Sequence, residues 1–500
     1  MEFSGSLLAD LSWTTCALLA LALLLALGFE FVNGFHDTAN AVATVIYTHS
    51  LPATPAVVWS GLWNLLGVLT SSGAVAFGVV ALLPVELVMN VGSAAGFAMV
   101  FALLLSAIVW NLGTWWLGLP ASSSHTLIGA IIGVGIANSL MGPAHSITEG
   151  VNWAKAQEVG LGLILSPLAG FIAAALLLIT AKTLIRDPAL YRAPEGKNPP
   201  PLWIRSLLVL TCTGVSFAHG SNDGQKGMGL IMLILVGILP GSYALKLSAD
   251  SQSIAALAGN AQHMATGFAQ TAGAQTRPTA AVAGELLADF IKPEGVATPA
   301  VLGAASVVSA TIHARLSPIQ NFQELSKEER ISLRTQLYLI AKTVAKLDKA
   351  GKLDADPERH QHQQAFGKHA ERLTQFIPDW VMYAVALALG LGTMVGYQRI
   401  VKTVGEKIGK DHLTYAQGGA AEVVAMSTIL VGDHYGLPIS TTHVLSSGIA
   451  GTMAANNSGL QKSTVRNILL AWVLTLPVCV FLGAALFAGL LNVIALLGMA

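Results

Sequence analysis

The sequence predicts an all-α polytopic membrane protein. It is expected to hold two inverted repeats, with interrupted helices meeting at the membrane midplane, plus a soluble, mainly helical insertion. Three observations predict this. Charged residues are 11% of the 500 positions and hydrophobic ones 53%, whereas a soluble chain carries about 25% charge. Apolar runs of membrane-spanning length recur along the chain, and two polar motifs each occur twice among them. The 27 Lys+Arg balance 27 Asp+Glu, so no global charge recruits nucleic acid. Residues 1–180 hold one basic residue, Lys155, while 243–376 hold 14 Lys+Arg and 12 Asp+Glu. Cys16, Cys212 and Cys479 lie singly in apolar runs, which excludes a disulfide scaffold. The first apolar run lacks a basic leader and is long enough to span, so it is expected to stay in the membrane rather than be cleaved.

A membrane helix needs ~17–25 apolar residues. Such runs lie at 13–33, 55–83, 96–117, 125–142 and 159–181, which together make a first repeat over 1–182. A linker, 183–205, follows and ends near Pro199, Pro200 and Pro201. The five Lys/Arg from Lys182 to Arg205 mark it as cytoplasmic and put the N-terminus outside. The second repeat starts over 206–242, with short runs at 206–220 and 227–241, and resumes over 377–500 with runs at 378–398, 416–433, 443–456 and 467–499. Arg399, Lys402, Lys407 and Lys410 also ask to be inside, yet this count puts them opposite 243–376. Either one segment near 206–241 is re-entrant or the short basic loop is external. Within 243–376, Ser326 and Glu329 have capping-box spacing, and Leu333, Leu337, Ile340, Val344 and Leu347 follow at helical spacing. That insertion is read as soluble and structural or regulatory.

The repeats are marked by their motifs. Gly34-Phe-His-Asp-Thr-Ala-Asn-Ala41 aligns with Gly220-Ser-Asn-Asp-Gly-Gln-Lys-Gly227. Residues 118–127 align with 436–445; six of the ten positions are identical and two exchange Ser for Thr. Asp37 and His125 are 88 residues apart, Asp223 and His443 are 220 apart. The excess of 132 nearly equals the 134 residues of 243–376, so the second half is the first with an insertion. An odd number of crossings per half inverts the copies, the usual build of secondary transporters.

Gly-Leu-Pro followed by hydroxyl residues starts a helix, and a helix start offers free N–H groups to an oxyanion. Ser122, Ser123, Ser124, Ser440, Thr441 and Thr442 add neutral donors, so two facing starts could supply ~6–10 donors to one tetrahedral anion. Simple N-capping is the bland alternative, and duplication beside a second duplicated motif weighs against it. Asp37 and Asp223 lie in apolar segments, where an unpaired charge costs several kcal/mol. They are read as cation ligands or proton carriers, with a structural carboxylate as the alternative. Asn40, Asn222, Thr38 and Gln225 could complete an oxygen shell, with Thr38 and Gln225 also facing the anion. Lys226 could contact the anion or neutralise Asp223. His36 is a candidate proton-coupling group, His125 and His443 are read as loop braces, and Glu30 as an outlying member of the cation path. Asn64 and Asn111 are read as polar glue between helices.

These motifs resemble those of the inorganic phosphate transporter (Pit/PiT) family, and the version here looks most like the bacterial low-affinity phosphate permeases. The resemblance rests on Gly34–Ala41 with Gly220–Gly227 and on Leu119–His125 with Leu437–His443. It says little about 243–376. It implies a multi-pass protein of the bacterial inner membrane, embedded in lipid, that carries inorganic phosphate, free or as a divalent-metal complex. Coupling would be to H⁺, with no resident cofactor. His36 departs from the Asn of the Na⁺-type motif, which weighs against Na⁺ coupling. A homodimer is the candidate assembly. Sulfate is the neighbouring substrate alternative. It is disfavoured because phosphate keeps a proton that it can donate to a carboxylate. A membrane hydrolase using Ser124 with His125, or Asp37 with His36, is the remote alternative, and a passive anion channel another.

Overall fold

Long apolar stretches leave the backbone no solvent to bond, so its N–H and C=O groups are satisfied within helices. The computed structural model describes residues 11–37, 39–82, 93–142, 147, 150–273, 277–292, 295–351 and 357–496. Thr38 therefore lies outside the described residues. Among those described there are helices and no strand, apart from one isolated bridge between Gly409 and Leu460. The first half runs α1 (Trp13–Asp37), α2 (Ala39–Tyr47), α3 (Ala53–Leu69), α4 (Ala74–Val80), α5 (Ala94–Trp116), α6 (Ser123–Met141) and α7 (Trp153–Leu184). After the linker comes α8 (Leu202–Ile238), then α9 (Pro240–Tyr243), α10 (Ser251–Ala272), α11 (Ala280–Ile291), α12 (Pro299–Leu316), α13 (Lys327–Lys349) and α14 (Pro357–Thr374). The chain finishes with α15 (Asp379–Thr393), α16 (Gln398–Glu406), α17 (Tyr415–His434), α18 (Thr441–Ala455) and α19 (Lys462–Leu496). Seven helices among the described residues are long and apolar enough to cross a membrane, or up to nine if each bent pair is one span.

The chain forms two compact units, Met1–Gly237 with Ile377–Ala500, and Ile238–Phe376. The second unit has its own apolar core, in which Ile254, Leu257, Val308, Ile312, Phe322 and Phe366 meet the α13 stripe. Leu333, Leu337, Ile340, Val344 and Leu347 are all buried there. Ser326 Oγ accepts from Glu329 N–H, and the Glu329 carboxylate accepts from Ser326 N–H, which completes the capping box. One of the seven membrane-capable helices, α12, packs into this core against α10 and α11.

Two boundaries differ from the sequence reading. The runs 206–220 and 227–241 are one continuous helix, α8. The polar motif between them stays helical, because the buried partners around Asp223 satisfy its side chains without breaking the backbone ladder. Conversely, 55–83 is bent by 78° between α3 and α4. Counted as one crossing, α8 brings the basic loop at 399–410 to the linker's side. Two contacts agree with this: Lys182 Nζ donates to Asn456 Oδ1, and Lys410 N–H donates to Gly459 O.

Corresponding elements of the halves pack crosswise. At Gly392 of α15 an added Cβ would lie 2.2 Å from Phe31 O of α1, and at Gly67 of α3 it would lie 2.2 Å from Phe217 O of α8. In both places only Gly admits the neighbouring backbone. The two Gly-Leu-Pro motifs turn alike, with φ of +66° at Gly118 and at Gly436, a left-handed conformation that Gly adopts freely.

Candidate anion and cation site between two helix starts

Each Gly-Leu-Pro turn ends one helix and aims the start of the next at the middle of α1/α2 and α8. At α6, Ser122 is the N-cap and its Oγ accepts from His125 N–H at 3.2 Å; at α18, Ser440 does the same for His443 N–H at 3.3 Å. These first hydroxyls are thereby used on their own helices. The following hydroxyls point onward. Ser123 Oγ donates to Asp37 Oδ2 at 2.9 Å and lies 3.4 Å from Asp223 Oδ2. Thr442 Oγ1 donates to Asp37 Oδ1 at 2.7 Å and accepts from Asn40 Nδ2 at 2.9 Å. Thr441 is buried beside Thr442. Lys226 Nζ donates to Ser124 Oγ at 2.6 Å and to Asp223 Oδ1 at 2.7 Å, and Ser124 Oγ donates to Ile439 O at 3.2 Å.

Both carboxylates are buried, at 2% and 0% exposure, and a buried charge survives only when paired and hydrogen-bonded. Lys226 pairs with Asp223. Asp37 has His36, whose Nδ1 is 3.0 Å from Asp37 Oδ1 and whose Nε2 is 3.0 Å from Thr114 Oγ1. The sequence reading thus named most members of one cluster: Asp37, Asp223, Ser123, Ser124, Thr442, Lys226, Asn40 and His36. Two predicted members lie to the side. Asn222 Nδ2 donates to Leu437 O at 3.1 Å, which ties α8 to the second turn. Gln225 accepts from Val75 N–H at 2.9 Å and donates to Ser221 O and to Asp433, which ties α8 to α4 and α17.

His219 and Asn33 were missed. His219 Nε2 lies 3.4 Å from Asp223 Oδ2 and 3.9 Å from Asp37 Oδ2, while Asn33 Nδ2 lies 3.5 Å from Asp223 Oδ2. Each sits four residues before its own motif Asp, one helical turn away. Extending the repeat alignment upstream by one turn would have found the pair. His219 Nδ1 is 2.8 Å from Asn64 Oδ1, and Asn64 Nδ2 donates to Thr393 Oγ1 at 3.1 Å, so the predicted helix-packing Asn64 also orients this His. One ligand atom each from Asp37, His219 and Asp223 lie within 4.8 Å of one another, close enough to share a small cation. Glu30 is buried with both oxygens unpartnered, beside Gly227, where a Cβ would lie 2.5 Å from Oε1. His125 and His443 stack at 4.6 Å between centroids, and Trp472 stacks on His443 at 4.1 Å. The two motifs therefore brace each other through their last residues.

The geometry is that of a binding site. It holds paired donors and charges, and its Ser and His are committed to helix caps, carboxylates and stacking rather than to each other. The chain matches the phosphate transporter family over residues 33–483. It is 41% identical to the low-affinity inorganic phosphate transporter PitA of Escherichia coli (strain K12), over 96% of this chain and 98% of that protein. It is 40% identical to PitB of the same strain, with the same coverage. Among solved structures, that of the sodium-dependent phosphate transporter shares the fold, with a TM-score of 0.51 and 18% identity over 95% of this chain and 99% of that one. The chain is a multi-pass membrane transporter rather than an enzyme, and it belongs to the phosphate transporter family.

Proposed function

We propose that the protein is a low-affinity inorganic phosphate symporter of the bacterial inner membrane, coupled to protons, with phosphate bound between the α6 and α18 starts. The observation that carries this reading is that the carboxylates already hold the donors an oxyanion needs. Ser123 and Thr442 both donate to Asp37, and Ser123 lies within reach of Asp223. Phosphate and two ionised carboxylates repel one another and compete for the same hydroxyls. A proton on Asp37 removes both obstacles, since the neutral acid releases Ser123 and Thr442 to the anion. Substrate and proton then bind better together than apart, as symport requires. Lys226 supplies a resident positive charge beside Ser124. Inverted repeats rocking about this central site would provide alternating access.

Hydrogen-bond accounting supports the proton. Asn64 Oδ1 accepts from His219 Nδ1, so Nε2 faces the two carboxylates and needs a hydrogen there or on one of them. A second reading, Na⁺ coupling, draws on the same three side chains as ligands. Lys226 counts against it, because this cation already occupies one side of Asp223. Phosphate carried as a divalent-metal complex would bring its own charge compensation, the metal then being cargo.

The test is uptake of labelled phosphate by proteoliposomes under an imposed proton gradient, with Na⁺ and Mg²⁺ each omitted in turn. Asp37→Asn and Asp223→Asn are expected to abolish gradient-driven uptake. Uptake equal to wild type in both variants would remove the aspartates from the coupling, and uptake that ends when Na⁺ is withdrawn would replace the proton with Na⁺.

A further inference from the structure

A second polar site lies outside the carboxylate cluster, on the outer surface of the membrane unit. It is a groove of about 850 Å³, rimmed by Lys410, Lys462 and Arg466 and lined by Leu469, Leu470 and Val473. The three cations are exposed, and among the described residues none of them is in an ion pair. Lys462 and Arg466 are one turn apart at the start of α19, and Leu469, Leu470 and Val473 continue that face over the next two turns. These three apolar side chains are 49%, 50% and 70% exposed.

Lys410 reaches the rim on a braced support. Its N–H donates to Gly459 O at 3.1 Å, Gln461 N–H donates to Ile408 O at 3.0 Å, and Gln461 Nε2 donates to Gly409 O at 2.8 Å. The connection between α18 and α19 passes through Gly459, whose φ is +71°. The groove's depth follows from α19, which is long and apolar enough to cross the membrane. Its first turn is charged and its next turns are apolar, which sets the rim at the headgroup level. The side follows from Lys182, which donates to Asn456, next to Asn457 in the groove wall. Lys182 opens the basic linker, so the groove faces the leaflet where basic segments collect and where anionic lipids give the surface its negative potential.

We propose that this groove is a binding site for an anionic phospholipid, with its phosphodiester among Lys410, Lys462 and Arg466 and an acyl chain along Leu469, Leu470 and Val473. The combination selects the ligand. A zwitterionic lipid brings its own cation to a cationic rim, and inorganic phosphate leaves the apolar half of the groove unfilled. The site is separate from the transport chemistry and stands whether or not protons drive uptake.

The test uses the full-length protein in detergent, titrated with phosphatidylglycerol, with phosphatidylcholine and with inorganic phosphate, and reads the thermal unfolding midpoint. Phosphatidylglycerol is expected to raise the midpoint and phosphatidylcholine to leave it nearly unchanged. The double variant K462Q/R466Q is expected to need on the order of tenfold more phosphatidylglycerol for the same shift. Val473→Trp keeps every charge and blocks the chain groove, and is expected to lose the shift as well. Both variants alter exposed side chains, so their lipid-free midpoints should match wild type and exclude misfolding as the cause. Equal shifts with both lipids would overturn the proposal. So would a phosphatidylglycerol response unaltered in either variant, or inorganic phosphate reproducing that response through Lys462 and Arg466.

Discussion

At Asp37 and Asp223 two carboxyls share one helix-start hydroxyl, Ser123, at 2.9 and 3.4 Å, and only Asp223 is paired with a lysine. This asymmetry gives the two residues different partners. Lys226 balances Asp223, so Lys226→Met leaves a buried charge uncompensated and is expected to cost about 3–5 kcal/mol. Adding Asp223→Asn should restore part of that loss; a thermal midpoint in detergent reads both steps, and no loss in the single variant would contradict the pairing. His219 touches both carboxylates while Asn64 holds its other nitrogen. His219→Gln removes a titratable group from beside both carboxylates and should therefore alter the pH dependence of phosphate uptake. An unchanged profile would relieve His219 of any part in proton coupling.

Helices meet where their side chains are smallest. A Cβ at Gly392 or at Gly67 would lie 2.2 Å from a neighbouring carbonyl oxygen, whereas one at Gly113 would meet nothing within 4 Å. Gly392→Ala and Gly67→Ala should therefore each destabilise the protein by about 1–3 kcal/mol. Gly113→Ala, in an unobstructed helix interior, should be neutral or slightly stabilising. In the insertion, α13 starts at a cap that works in both directions. Hydrogen bonds from the Ser326 backbone and hydroxyl hold the Glu329 carboxyl below the usual carboxylate range. A depressed carboxylate contributes stability above its unfolded pKa and loses it as pH falls through its folded value. Ser326→Ala should loosen the first turn of α13 by about 0.5–2 kcal/mol, read as faster amide hydrogen exchange there in the full-length protein. The effect should shrink at acid pH.

The whole molecule is a duplicated chain whose halves interlock, with α1 against α15 and α3 against α8. If the repeats are inverted, the connection between α6 and α7 and that between α18 and α19 open on opposite faces. In a protein lacking Cys16, Cys212 and Cys479, Ile147→Cys and Asn457→Cys should then react with an impermeant thiol reagent from opposite sides of the membrane. Labelling from one side would exclude inversion. The membrane class, the duplicated motifs, the insertion's capped helix and most members of the polar cluster are legible in the order of residues alone. Each of these rests on a local signal: charge scarcity, motif spacing, 3.6-residue periodicity, or a charge where apolar surroundings make it expensive. Packing adds that α8 is continuous, that Asn222 and Gln225 bond to Leu437, Val75 and Asp433 on neighbouring elements, and that His219 joins the two carboxylates. Spacing along one chain says which polar groups are costly to bury, and only packing says which partner each of them finds.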